Sequence, residues 1–259
     1  MIKCYLVSDS TVQTYEKYYY PQTGWGQVFW ECFKDSDTMK EETCETCSYP
    51  QSRDYVLRNI TIENRAIGGR SSRSFIEEGK LQEIEPYLSE GDYMFVQFGH
   101  NDATINRPER YVASEDFHIY IQKYIDLCKE KKVQCVLVTP VARRNCDDTD
   151  VFTISFDEYR KEMIRIAAEQ NLPLIDLGKV SADYLNTLGN EKSKELYLHT
   201  QEGQYEGAYE QGVQDNTHLS ITGARIYAGM VAELIKENPA LKDFAEYLKD
   251  TGIVGVRST

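Results

Sequence analysis

Two short stretches hold residues whose types and spacing could do covalent chemistry. A serine hydroxyl becomes a nucleophile when a base takes its proton, and the base works best when an acceptor orients it. In Gln214-Asp215-Asn216-Thr217-His218, Asp215 lies three residues before His218. That is close enough for the carboxylate to accept from imidazole Nδ1–H, fixing the tautomer and leaving Nε2 free for a serine proton. The same residues, with Ser220, also read as the cap of the amphipathic segment that follows. His118, at a helix start, and His199, in a polar loop, read as surface residues. A candidate hydroxyl lies in YLVSDSTVQTY, Tyr5–Tyr15, where an apolar run stops at Ser8-Asp9-Ser10-Thr11. Ser, Thr and Asp also satisfy free N–H groups where helices begin. Taken locally, that cluster is as much a cap as a nucleophile.

Acyl transfer to a serine further requires donors where the oxyanion forms. Gly68-Gly69 exposes backbone N–H groups without side-chain obstruction. Gly69 could give one N–H, Ser10 its own, and Asn101, in Phe98-Gly99-His100-Asn101-Asp102, a side-chain amide. Each also reads as an ordinary turn residue.

These residues need a scaffold that gathers them. Lys3–Val7, Asn59–Glu63, Tyr93–Phe98, Cys135–Thr139 and Leu174–Leu177 read as five strands, two of them near-continuous apolar runs of the kind covered on both faces. Helical spacing of apolar residues covers Gln27–Phe33, Phe117–Lys131, Phe156–Gln170 and Thr222–Lys236. The alternation predicts an α/β fold with one mostly parallel five-stranded sheet. In such sheets ligands sit at the carboxyl ends of the strands, where Ser10, Gly69 and Asn101 fall. A single domain over residues 1–259 is expected, with an insertion around 34–57 and a substrate-side loop around 186–213.

Composition excludes several classes. The formal charge is −13, which opposes binding to a phosphate backbone and argues against nucleic acid as a partner. No run approaches the ~18 apolar residues of a membrane span. The start lacks an apolar secretory core, so a cytoplasmic location is expected. Seven scattered cysteines suit a reducing compartment. Cys44 and Cys47 have metal spacing but lack a second pair, so they are expected as two free thiols in a loop, with no metal.

Taken together, DST, NRAIGGRSSRSF, QFGHND and DNTHLSITGA resemble, in order and spacing, the SGNH (GDSL-like) hydrolase superfamily. Gly24-Trp25-Gly26, Gly69-Arg70-Ser71 and Phe98–Asp102 are similar to its rhamnogalacturonan acetylesterase family of carbohydrate esterases. The resemblance implies a flavodoxin-like three-layer α/β/α sandwich. It also implies a serine esterase, without metal or cofactor, that removes acetyl groups from pectin-type oligosaccharides. Carried over, Ser10 is the nucleophile, His218 the base and acid, and Asp215 its orienter; Ser10, Gly69 and Asn101 form the oxyanion hole. The family has Gly where this chain has Ser8, a substitution that costs energy if the position needs φ > 0. Arg70, His100 and Tyr205 are further candidates for substrate contact. Tyr197 and Tyr209 are candidates for stacking on sugars, while Arg143 and Arg144 read as structural ion pairs, and Asp9 and Asp102 as loop braces. A lipase- or thioesterase-type relative, an acetyl xylan esterase, and a non-catalytic carbohydrate binder are the rival readings.

Overall fold

The computed structural model describes residues 1–252. In chain order the strands are β1 (Ile2–Val7), β2 (Lys40–Thr43), β3 (Arg53–Val56), β4 (Ile60–Asn64), β5 (Tyr93–Val96), β6 (Gln134–Val138), β7 (Leu174–Ile175), β8 (Tyr197–Thr200) and β9 (Val213–Leu219). The α-helices are α1 (Trp25–Val28), α2 (Ser72–Glu77), α3 (Lys80–Ile84), α4 (Phe117–Lys131), α5 (Asp157–Gln170), α6 (Leu177–Ser193), α7 (Ile221–Glu237) and α8 (Lys242–Ala245). The main sheet runs β2-β3-β4-β1-β5-β6-β7. Its last five strands are parallel, and this is the flavodoxin-like order with β1 at the switch point.

Alternation along β1 shows how the layers form. Cys4 and Leu6 enter one core with Trp25, Phe29, Leu185 and Tyr227, whereas Tyr5 and Val7 enter a second with Phe75, Leu81, Tyr124 and Met163. Helices α1, α6, α7 and α8 therefore cover one face, and α2 to α5 the other. Burying both faces requires the continuous apolar runs seen in β5 and β6.

The sheet has seven strands, not five, because the expected insertion supplies β2 and β3, which extend the β4 edge antiparallel. That segment also holds a Cys44–Cys47 disulfide rather than free thiols, while the other five cysteines are free. The helix expected over 27–33 is only α1 followed by a 3-10 turn over Phe29–Cys32. The expected loop over 186–213 is part helix and part hairpin: α6 runs to Ser193, and β8 pairs antiparallel with β9. Among the described residues no helix is long and apolar enough to cross a membrane.

Candidate active site

After β1 the chain makes one tight turn rather than a helix. The Asp9 carbonyl accepts from Val12 and Gln13 N–H at 3.2 and 3.1 Å, and its carboxylate Oδ1 accepts from both N–H and Oγ1 of Thr11 at 2.9 Å. Ser10 stands on this turn, its carbonyl accepting from the Tyr15 hydroxyl at 2.8 Å. A buried amide holds the turn from behind. Gln97 Nε2 donates to Thr11 Oγ1 at 2.8 Å, and Gln97 Oε1 accepts from the Trp25 indole at 3.0 Å. Ser8 is buried, has no positive φ, and donates its hydroxyl to the Gln97 carbonyl at 2.6 Å. The residue that departs from the resembled pattern is thus an unstrained part of the brace.

The loop after β4 carries Gly68 and Gly69. Gly69 has φ +82°, a conformation that favours glycine. Gly68 N–H donates to Gln13 Oε1 at 2.5 Å, tying this loop to the Ser10 turn. Among the described residues, the N–H groups of Ser10 and Gly69 have no protein acceptor. Beyond β5, Asn101 is buried and donates from Nδ2 to the Arg70 carbonyl at 2.8 Å, which leaves its second N–H available. Its neighbour Asp102 braces two loops, accepting from Ser72 N–H at 3.0 Å and from Gly99 N–H at 3.0 Å. Burial raises the Asp102 carboxyl to about 7, against these donors.

Asp215 and His218 belong to strand β9, not to a helix cap. The ladder pairs Leu198 with Asp215 but Tyr197 with Leu219, so residues 216–218 bulge out of the hairpin. A regular strand would put residues i and i+3 on opposite faces; the bulge re-aims His218. Asp215 closes it, accepting from Thr217 N–H at 2.6 Å, His218 N–H at 3.0 Å and imidazole Nδ1 at 2.7 Å. Burial opposes charge on Asp215, but the imidazole and the two N–H groups outweigh it and hold the carboxyl at about 2. Ser220, by contrast, does cap α7, accepting from Gly223 N–H at 3.1 Å.

Ser10, Gly69, His100, Asn101 and His218 line one cavity of about 790 Å³. His100 is buried against the Phe156 ring, with Nδ1 3.4 Å from Asp9 Oδ2. Although burial disfavours its charge, the Asp9 carboxyl is held below the usual range by His100 and Thr11. Arg70 is not among the lining residues: it pairs with Glu78 at 2.9 Å and with the Gly68 carbonyl at 2.9 Å. Tyr205 lies in a separate groove with Tyr18 and Tyr20. Tyr197 is buried, its hydroxyl bonded to the Ala142 carbonyl at 2.6 Å, so it offers no surface to a sugar. Tyr209 reaches Gln22.

The two arginines after β6 are not ion-paired as expected. Arg143 donates to Thr217 Oγ1 at 2.8 Å and lies over Phe156, and Arg144 donates to Asn216 Oδ1 and Ser193 Oγ, each at 3.0 Å. Both hold the bulge through polar partners that a charge-pairing argument does not anticipate. His118 is surface-exposed as expected, whereas His199 is half-buried and bonded to Asn216 at 2.8 Å. Gln97, Arg110 and Thr217 escape sequence reasoning. Nothing in their type or local spacing marks them; only the cross-chain contacts do.

A parallel α/β/α sandwich with a hydroxyl, a carboxylate-backed imidazole and open N–H donors at its carboxyl edge is the architecture of an acyl hydrolase. The model of the GDSL-like Lipase/Acylhydrolase family matches residues 44–226. Two Bacillus subtilis proteins are similar along nearly their whole length. Rhamnogalacturonan acetylesterase RhgT is 33% identical over 236 residues, covering 91% of this chain and 90% of its own. The probable rhamnogalacturonan acetylesterase YesY is 36% identical over 234 residues, covering 90% and 92%. The crystal structure of Bacillus subtilis YxiM superposes with a TM-score of 0.70 at 24% identity, over 91% of this chain and 56% of that longer one. The chain belongs to the GDSL-like lipase/acylhydrolase family of carboxylic ester hydrolases.

Proposed function

We propose that the protein is a serine carbohydrate O-acetylesterase acting on acetylated, rhamnogalacturonan-type oligosaccharides. The observation that carries this reading is the looped-out His218, backed by Asp215, on the same cavity as Ser10 and its open N–H donors. The sugar class follows from the named activities of the two Bacillus relatives. In this mechanism Ser10 Oγ attacks the acetyl carbonyl while His218 Nε2 takes its proton. The tetrahedral oxyanion is held by the N–H groups of Ser10 and Gly69 and by the Asn101 amide. Collapse breaks the ester bond, and the imidazolium returns its proton to the departing sugar oxygen. Water, deprotonated by His218, then attacks the acetyl-serine and releases acetate. Asp215 stays ionised throughout and stabilises the imidazolium.

Ser10→Ala is expected to lower kcat for acetate release by at least about 10³-fold and to abolish labelling by a fluorophosphonate. A variant that keeps the wild-type rate eliminates the mechanism. Parallel assays on acetylated xylan and rhamnogalacturonan oligosaccharides test the sugar class; faster turnover of xylan overturns that part alone.

A further inference from the structure

Among the described residues, several arginines meet the chain's own carboxylates: Arg65 with Asp54 and Glu63, Arg160 with Asp176, Arg165 with Glu169, and Arg225 with Glu31. The chain has 42 acidic residues to 29 Lys and Arg, so carboxylates are in excess over cations. Two arginines nevertheless line the cavity with no carboxylate partner among the described residues, Arg110 and Arg143. Arg143 uses only Nε, toward Thr217. Arg110 gives Nη1 to the Gly69 carbonyl at 3.3 Å, while its Nε is buried with no acceptor. A buried donor without a partner is rare and calls for a ligand or a water.

The wall beside Arg143 is also built under strain. Phe156, whose ring meets both His100 and Arg143, has φ +57°, a left-handed conformation unfavourable for a bulky side chain. Such strain collects at ligand clamps. His100 is 7% exposed, its Nδ1 faces Asp9, and its Nε2 has no hydrogen-bond partner among the described residues. Among the described residues, the cavity wall holds one carboxylate, Glu16, against two guanidinium groups.

We infer that this cavity takes a uronic acid in its free-acid form, with Arg110 and Arg143 as the cations that read the sugar carboxylate. The inference rests on the acetylesterase reading only for where the ester lies, next to Ser10. A guanidinium edge matches a carboxylate through paired N–H bonds, which a hydroxyl or a methyl ester does not offer. A neutral ligand leaves these donors unpaired, so the site selects against it.

Trigalacturonate carries no acetyl ester, so its binding to the wild-type protein reads the site without turnover. By calorimetry the free acid is expected to bind at least about tenfold tighter than its fully methyl-esterified form, the scale of one charge-assisted hydrogen bond. Arg110→Gln and Arg143→Gln should each reduce that ratio to about threefold or less. Arg110→Lys and Arg143→Lys, which keep the charge, should retain part of it and serve where a Gln variant does not fold. Equal affinity for acid and ester, no binding of either, or variants that weaken both ligands alike overturn the inference. Turnover of p-nitrophenyl acetate by the same preparation reads ester cleavage separately. Lost turnover with intact discrimination counts against the Ser10 mechanism and supports the carboxylate site.

Discussion

The Asp215 carboxylate accepts from three donors that all belong to the segment it closes, so its charge bears on both stability and chemistry. Its folded carboxyl is lowered from 3.8 to about 2, and the folded protein therefore binds fewer protons than the unfolded chain through that window. The stabilisation is full above the ordinary carboxyl range and is lost as pH falls through about 2. Asp215→Asn should be less stable than wild type at pH 7, with the gap in urea midpoint closing between about pH 4 and pH 2. A gap that stays constant with pH removes this account. At neutral pH the same substitution should lower kcat by roughly 10³–10⁴-fold through the wrong imidazole tautomer. Asn101→Ala tests the neighbouring role: about 10²–10³-fold in kcat with a smaller change in KM. Ser10, Asp215, His218 and Asn101 are singled out in the sequence only when the separate motifs are taken together as a resemblance, because each alone also reads as a cap or turn residue. Gln97 is not, since its brace on Thr11 spans 86 positions and its amide carries no reactive signature. Ser8 is misleading in the other direction: judged as a missing glycine it threatens strain, yet its hydroxyl is one of the brace's donors.

Elements divide by whether their defining interactions are local. Helix α4 has the boundaries its apolar spacing predicts, because a 3.6-residue period is written in consecutive residues. The bulge in β9 is invisible by the same logic: its register is a relation to β8, and DNTH read alone passes for a helix cap. Gly24 shows how a short element serves the site. A Cβ there would lie 2.3 Å from both the Gln13 carbonyl oxygen and the Val12 carbonyl carbon, backbone atoms of the turn that carries Ser10. Gly24→Ala should therefore cost about 1–3 kcal/mol by overpacking and also lower kcat, because α1 can make room only by displacing that turn. Urea denaturation with parallel kinetics checks both. Loss of stability with unchanged kcat would mean that α1 moves instead.

At the scale of the whole molecule, the alternation of strands and helices announces the parallel sandwich; the acidic balance announces only a net charge of −13. Neither announces β2 and β3, because Lys34–Leu57 is polar and only half-alternating, and its strands are defined by pairing with β4. That pairing moves the open margin of the sheet from buried β4 out to β2, whose Lys40, Glu41, Glu42 and Thr43 are all exposed. Three charges in four residues make this margin a poor template for another strand. The consequence is colloidal: at high concentration a second molecule meets solvated charged side chains along the open ladder. Replacing Glu41 and Glu42 with Val should convert the margin into a seed, seen as concentration-dependent light scattering and thioflavin binding under conditions where the wild type stays clear.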